Sequence, residues 1–448
     1  MSAVLGPTSL SPTERSASVD MVEAFLRECV PMLTGESATA PTRGRPPILP
    51  ALCLWLGLLV GVLRGFDSVQ DLWRLFSLHG LWDWPRLALS DQAIYHRLAR
   101  DGTVLLERLF EQISGLLAQR LEPFMDQSLA PFASGVYALD DSTLDQVARH
   151  LPALRSVPAG AAALLPGKLS GLFDLRRQQW ARVVSQADPR QNEKVAARRM
   201  VEDLPAESLI LADLGYFGFA WFDHLTNAGY WWVSRLRQNT STVRLHTFYQ
   251  HGEVLDALVH LGAHRADRAQ HAVRLVQFRQ HGTLRSYLTN VLDPRLLPLA
   301  EVARLYARRW DIELAFKLAK THLGLHLLWG ANPTVVLQQV WAVLIIAQIL
   351  QALRLEIAAR AGVDPFEVSM PLLVRWLPRL AARGLDPLTV FVEQGRQMRF
   401  IRPSTRTHIL APSIPPEELV PLPPGLHMER SPRYAQRNCG PRRSATGA

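Results

Sequence analysis

The chain has 448 residues, of which 48% are hydrophobic and 20% are charged, and this composition excludes a largely disordered protein. The length exceeds what one hydrophobic core normally supports, so we expect two or three domains. A net charge of +9 favours a polyanionic partner, with nucleic acid ahead of an anionic membrane surface.

The cysteines and the first residues bear on the cellular compartment. Cys29, Cys53 and Cys439 form no CxxC pair or Cys/His cluster, which argues against a structural zinc site or a disulfide framework. Residues 1–20 are polar where a signal peptide needs a basic start and an apolar stretch. We therefore expect a cytoplasmic protein.

Residues 1–130 predict a helical region that binds DNA. A short helix near 19–34 precedes a linker at 36–47, whose RGRPP core resembles an AT-hook but also suits an ordinary helix start. Residues 48–63 are apolar but short for a membrane span and contain a proline, so we interpret them as a buried helix. Residues 90–102 join a Ser N-cap to a basic helix, which resembles part of a helix-turn-helix module.

From 131 to 240 the pattern changes to short apolar segments separated by helices, which is typical of an α/β domain with a mixed sheet. Residues 241–295 are rich in alternating, β-prone stretches and predict a β-rich insertion. The strands expected before that insertion lie at 136–140, 168–177, 181–186, 208–213 and 230–236.

Helical spacing returns at 296–355, which we interpret as the second part of the same core, and continues into a helical region at 356–401. The apolar stretch 334–354 contains glutamines, which favour a core helix over a membrane span. Residues 402–448 hold nine prolines and seven arginines against three glutamates. We expect an extended or disordered basic tail there, with loose phosphate contacts or none.

Four polar side chains share one face of a predicted helix. Tyr306, Arg309, Glu313 and Lys320 follow one another at offsets of 3, 4 and 7 residues. At about 100° per residue they fall within roughly a 60° arc. A solvated helix with an ordinary Arg–Glu pair would show part of this pattern, so the spacing alone leaves both interpretations open.

Two aspartates complete a set of three carboxylates with the glutamate of that helix. Asp140 follows the apolar segment VYAL and Asp213 follows LILA, so each is expected at the end of a strand. Asp141 is an alternative to Asp140, since neighbouring side chains on a strand point to opposite faces; we favour Asp140 because it directly follows the apolar run. Such a set can bind two Mg²⁺ ions, with Mn²⁺ as a substitute.

These segments resemble the DDE transposases of bacterial insertion sequences, in the IS4-like group that includes the Tn5 transposase. The group's signature is Tyr, two residues, Arg, three residues, Glu, six residues and Lys, and YARRWDIELAFKLAK matches it at every spacing. YALDDSTLD and LADLGYF match the surroundings of the group's two aspartates. The resemblance covers roughly 132–354.

The resemblance implies an RNase H-like fold with a β-rich insertion before the Glu-bearing helix. It implies metal-dependent cleavage at transposon ends and strand transfer into target DNA. A homodimer on double-stranded DNA, at the terminal repeats and the target, is implied as well, with the protein associated with the nucleoid when bound.

The resemblance also assigns roles to residues. It implies that Asp140, Asp213 and Glu313 are the catalytic and metal-binding residues. It further implies that Tyr306, Arg309 and Lys320 contact DNA phosphates.

Two other features near the end of the predicted core are less specific. Arg235 resembles a DNA-contacting Arg of the group, with an ordinary surface charge as an equal alternative. Some relatives stack a flipped base on a Trp of the insertion, but residues 241–293 contain no Trp. Trp231 and Trp232 precede it, and we interpret both as sheet residues.

Two other functions compete with an active transposase. One is a catalytically silent, transposase-derived DNA-binding protein, which would have no need of the acidic triad. The other is an RNase H-like nuclease of repair or recombination, which would not predict the Tyr-Arg-Glu-Lys helix.

Overall fold

The computed structural model describes residues 22–26, 48–144, 167–262, 268–330, 332–404, 406 and 409–431. The chain divides into two compact units. The first comprises residues 1–125, 144–166 and 315–405, and the second comprises 126–143, 167–314 and 406–448. The predicted linker at 36–47, with its AT-hook-like core, lies outside the described residues.

The elements are numbered in chain order. The helices are α1 (Ala51–Leu63), α2 (Val69–Arg74), α3 (Asp91–Asp101), α4 (Val104–Leu121), α5 (Glu193–Val201), α6 (Phe219–Asn227), α7 (Leu299–Arg308), α8 (Trp310–Lys317), α9 (Pro333–Ala361), α10 (Met370–Ala381) and α11 (Pro387–Glu393). The strands are β1 (Val136–Leu144), β2 (Gly167–Asp174), β3 (Gln179–Gln186), β4 (Leu209–Ala212), β5 (Trp231–Arg235), β6 (Thr242–His251), β7 (Val254–Leu261), β8 (Val273–Gln280) and β9 (Thr283–Thr289).

The 29-residue helix α9 is the core of the first unit and packs against α1, α3, α4 and α11. Asn332 caps its first turn by accepting a hydrogen bond from the N–H of Thr334, and Gly362, at φ 63°, ends it. The helix is long and apolar enough to cross a membrane, but 89% of its most apolar window is buried inside the protein. The prediction of a core helix at 334–354 is therefore confirmed.

Two predictions for the first helices also hold. Cys53 to Leu63 of α1 are all buried, as expected for an apolar helix in a core. The side chain of Ser90 accepts a hydrogen bond from the N–H of Ala93 at 3.2 Å and so caps α3. The helix-turn-helix role of this region stays a prediction.

The second unit is built on a nine-stranded mixed sheet in the order β3-β2-β1-β4-β5-β9-β8-β7-β6. β1, β4 and β5 run parallel, whereas β2 pairs antiparallel with β3. The stretch predicted as a β-rich insertion forms β6 to β9, and it continues the same sheet because β9 pairs antiparallel with β5. The predicted α/β class with a mixed sheet is confirmed.

The two faces of β1 have different neighbours. Tyr137 and Leu139 belong to an apolar cluster that includes residues of α5 and α6. Side chains alternate along a strand, so Asp141 shares this face, while Ala138 and Asp140 point to the other.

The C-terminal segment is packed rather than loose. Residues 409–431 are extended, and the N–H of Val420 donates to the carbonyl of Phe248 at 2.8 Å, while the N–H of Ala272 donates to that of Met428 at 2.8 Å. Of the two alternatives predicted for the tail, extended or disordered, these residues have the first, and they are ordered because apolar side chains spaced among the prolines pack on the outer strands. They are Leu419, Leu422, Leu426 and Met428.

Candidate active site

Asp140 and Asp213 are brought together by two parallel strands. β1 and β4 pair with Leu139 opposite Ala212, so the aspartates that follow are neighbours across the strands. Asp213 accepts a hydrogen bond from the N–H of Gly215 at 2.7 Å and caps a single 3-10 turn. β1 continues past Asp140 to Leu144, so the expectation that the strand ends at this aspartate is wrong.

The spacing of the signature residues predicted one regular helix, but the structure does not have one. α7 ends at Arg308, and the N–H of Arg309 bonds to the carbonyl of Tyr306 three residues back at 3.2 Å. A π turn at Leu318–His322 then contains Lys320. Tight and wide turns change the rotation per residue, so the 60° arc is lost.

The signature residues are also divided between the two units. Tyr306, Arg309 and Glu313 belong to the second unit with both aspartates, whereas Lys320 belongs to the first. Tyr306, Arg309 and Glu313 are therefore the signature residues that share a unit with both aspartates.

Arg309 contacts two of the three predicted carboxylates. Its Nη2 donates to Oε1 of Glu313 at 2.5 Å, and its Nη1 lies 3.8 Å from Oδ2 of Asp140. The side chain is buried, and its guanidinium lies 5.8 Å from the ring centroid of Tyr306. A residue between α7 and α8 thus connects the Glu-bearing helix to β1.

The electrostatics of Asp140 show that the other two carboxylates are near. Burial raises the pKa of Asp140 to about 7, and the negative charges of Asp213 and Glu313 also raise it. The positive charge of Arg309 and the hydrogen bond from the N–H of Asp141 act in the opposite direction. The site therefore holds more negative charge than its own cation compensates.

Asp141 is bound into a different set of contacts. Its Oδ1 accepts a hydrogen bond from the hydroxyl of Tyr216 at 2.8 Å, and its Oδ2 lies 2.7 Å from Nζ of Lys168. Tyr216 and Lys168 are both buried. Of the two adjacent aspartates, Asp140 is the one that faces Arg309 and Glu313.

Helix α5 brings a further acid, which the sequence analysis missed. Burial raises the pKa of Glu193, and the charges of Asp141 and Asp213 raise it further. A Cβ on Gly215 would lie 2.2 Å from Oε2 of Glu193 and 3.0 Å from Oδ1 of Asp213, so the glycine leaves room for both carboxylates. The available signal was the glycine two residues after Asp213.

Tyr306 and Arg235 lie on the same side of the unit. Burial raises the pKa of Tyr306 to about 12, while the charges of Arg309 and Arg235 oppose this rise. Arg235 is exposed at the end of β5. Trp231 and Trp232 lie in β5, and Trp232 stacks on Phe222 with ring centroids 4.2 Å apart, so their prediction as sheet residues is confirmed.

The break at Arg309 lies between partly buried ion pairs that the sequence analysis did not single out. Asp311 accepts hydrogen bonds from Nε of Arg308 at 2.9 Å and from Nε2 of Gln178 at 2.9 Å. Arg308 also donates to Asp126 at 3.1 Å. Arg308 and Asp311 therefore anchor the chain on either side of Arg309.

The chemistry of the donor set indicates which ligand fits. Asp140, Asp213 and Glu313 offer only carboxylate oxygens, which hard divalent cations prefer. Within the described residues no three His, Cys, Asp or Glu side chains are arranged as a metal-binding group, and Arg309 holds Glu313. The excess negative charge around Asp140 nevertheless fits a cation.

A family model and a solved structure are similar to parts of this chain. Residues 160–349 match the family model of the transposase DDE domain; this is less than half of the chain, and it includes Asp213 and Glu313 but begins after Asp140. One similar solved structure is the piggyBac transposase in a synaptic complex with hairpin DNA. The alignment covers 85% of this chain and 82% of that chain, with a TM-score of 0.40 and 10% sequence identity.

Two curated relatives are transposases of insertion sequences. The chain is 23% identical over 329 residues to that of element IS231F from Bacillus thuringiensis subsp. israelensis, covering 61% of this chain and 65% of the relative. It is 25% identical over 197 residues to the transposase of IS231E from Bacillus thuringiensis subsp. finitimus, and this match covers 43% of this chain and 37% of the relative. These matches to transposases of insertion sequences agree with the resemblance of the chain to the IS4-like DDE transposases.

Proposed function

We propose that this protein is a DNA transposase that cleaves DNA at transposon ends and transfers the cut strands into target DNA. The observation that carries the proposal is the position of Arg309, which contacts both Asp140 and Glu313. Asp213 follows the strand next to β1. We infer that these carboxylates, from two strands and a helix, supply the oxygen donors that metal-dependent phosphoryl transfer requires.

Asp140, Asp213 and Glu313 would hold the metal ions, and Asp140 rather than Asp141 is our choice because of the face on which it lies. Two bound Mg²⁺ or Mn²⁺ ions would activate a water or a 3′-hydroxyl and stabilise the leaving oxygen. For this, Glu313 must exchange its ion pair with Arg309 for the metal. The freed guanidinium is then available to a phosphate.

Four side chains are proposed to bind the DNA. Arg309 and Tyr306 adjoin the carboxylates, and Arg235 acts on Tyr306 from the end of β5. Lys320 completes the set through the resemblance of the signature. Cations beside a carboxylate site neutralise phosphate charge as it approaches the acids.

The fold and assembly follow the same proposal. The order β3-β2-β1-β4-β5, with β1, β4 and β5 parallel, supports an RNase H-like core that β6 to β9 extend. We propose a homodimer on paired transposon ends in the cytoplasm, associated with the nucleoid when DNA is bound. The net charge of +9 supports a nucleic-acid partner.

The test is cleavage of a labelled duplex that carries the element's own terminal repeat, with Mg²⁺ or Mn²⁺. We expect metal-dependent nicking at the end, and we expect its loss in Asp140→Ala, Asp213→Ala and Glu313→Ala. Asp141→Asn, assayed with the same metal ions, is the matched control at the neighbouring position. It should retain cleavage under conditions in which the variant is folded.

Each result separates the alternatives. Specific binding without cleavage by the wild type would support the silent DNA-binding descendant. Cleavage that survives Asp140→Ala but not Asp141→Ala would move the first carboxylate to Asp141. Cleavage without preference for the terminal repeat would favour a general nuclease.

A further inference from the structure

Two cations are held by the turn that follows Asp213. Nζ of Lys194, in the first turn of α5, donates to the carbonyl oxygen of Phe217 at 2.9 Å. Nη2 of Arg237, two residues after β5, donates to the carbonyl oxygen of Leu214 at 3.1 Å. The Arg237 guanidinium also lies 5.2 Å from the ring centroid of Phe217. One short turn therefore fixes both charges beside a proposed catalytic carboxylate.

These cations repel each other, and in the described part of the chain their hydrogen bonds go to backbone carbonyl oxygens, with no salt bridge to an acidic side chain. Burial lowers the pKa of Lys194, and the charge of Arg237 lowers it further, whereas Glu193 raises it. Like charges held together cost free energy unless an anion compensates them. The arrangement is therefore suited to an anionic ligand.

The backbone also leaves space for the lysine. A Cβ on Gly218 would lie 3.2 Å from Nζ of Lys194, closer than ordinary van der Waals contact. Gly218 has an extended φ of 179°, which any residue adopts, so its conformation does not require glycine. A side chain at this position would therefore press on the lysine head, which would have to move by a few tenths of an ångström.

We propose that Lys194 and Arg237 together bind one phosphate group of the DNA strand next to Asp213. The proposal rests on the proposed function and adds a phosphate site that is separate from Arg309, which pairs with Glu313. A lysine ammonium and an arginine fork are complementary donors for phosphate oxygens. The contact would fix the strand backbone beside the carboxylate without reading its sequence.

The experiment measures equilibrium binding of the full chain to the terminal-repeat duplex in the absence of divalent metal, over a range of salt concentrations. The variants are Lys194→Gln, Arg237→Gln and their combination, with Lys194→Arg as the charge-keeping variant. Arg244→Gln is the matched control, since Arg244 is an exposed arginine on β6 whose hydrogen bond goes to Gln250. Thermal unfolding of each variant shows that it is folded.

Each single Gln variant should weaken binding roughly tenfold and reduce the salt slope by about one. Because both cations bind the same phosphate, the fold-loss of affinity in the double variant should be smaller than the product of the fold-losses in the two single variants. Lys194→Arg and Arg244→Gln should keep the wild-type affinity and slope.

Wild-type affinity and slope in the double variant would overturn the phosphate site while leaving the transposase proposal intact. Equal weakening by Arg244→Gln would overturn it too, because the effect would then be general charge. Failure of the wild type to bind any duplex would instead overturn the proposed function.

Discussion

Neutralising the two adjacent aspartates of β1 should change the stability of the protein in opposite directions. Burial raises the pKa of Asp140 from its ordinary value of 3.8 to about 7. Between these values the folded protein holds a proton that the unfolded chain has released, so stability falls as the pH rises through this window. The rise corresponds to a cost of up to roughly 4 kcal/mol above pH 7.

Asp140→Asn removes that cost in the metal-free protein. We therefore expect the variant to be more stable than the wild type at pH 8, by up to roughly 4 kcal/mol, and equally stable near pH 4. The wild type should regain the difference when it binds Mg²⁺ or Mn²⁺, which compensates the carboxylate charge.

Asp141→Asn is the matched control on the next residue. Lys168 is buried and its Nζ lies 2.7 Å from Oδ2 of Asp141, so the variant leaves a buried charge without its counter-ion. Breaking a buried pair in this way costs about 3–5 kcal/mol. The same one-atom change should thus stabilise the protein at one position and destabilise it at the other.

The assay is urea unfolding in EDTA at pH 4 and pH 8, followed by tryptophan fluorescence. Trp180, Trp221 and Trp232 are fully buried in the second unit and report on it. A loss of stability at pH 8 in Asp140→Asn, or the same response in both variants, would refute the assignment of the two aspartates to different faces.

Three further results are expected. Asp256→Ala should cost about 3–5 kcal/mol in urea unfolding because it leaves the fully buried Arg274 unpaired; Glu253→Ala, which breaks an exposed pair, should leave the midpoint unchanged. Gly215→Ala should keep the protein folded, because the clashing Glu193 carboxylate can move. It should nevertheless slow cleavage, because the new methyl group also presses on the carboxylate of Asp213. Unchanged cleavage would contradict this. In wild-type cleavage assays EDTA should abolish nicking and Mn²⁺ should restore it, whereas nicking that persists in EDTA would exclude the metal mechanism.

Local pattern was enough to predict much of this site. The apolar runs before Asp140 and Asp213 placed both residues at strands, and the parallel pairing of those strands makes them neighbours. The spacing of four residues between Arg309 and Glu313 is compatible with a direct contact, which the structure has. These features depend on periodicity and on short sequence distances.

Other features depend on long-range contacts. Beside the break at Arg309, Asp311 accepts a hydrogen bond from Gln178, which is remote in sequence. Glu193 and Lys194 lie on a short polar helix, and their position near Asp213 appears only where α5 packs beside the turn after that residue. β-propensity identified β6 to β9, but it could not show that they extend the central sheet, because propensity does not choose a pairing partner.

That extension explains how 100 residues can separate Asp213 from Glu313 without loss of precision at the site. β9 pairs with β5, so the chain returns to the sheet immediately before the Glu-bearing helices. Arg274 of β8 then donates to the carbonyl oxygen of Leu297 at 2.6 Å while it pairs with Asp256. Since Leu297 lies two residues before α7, the buried arginine fixes the entry of that helix, and a stable insertion is a condition for an ordered candidate site.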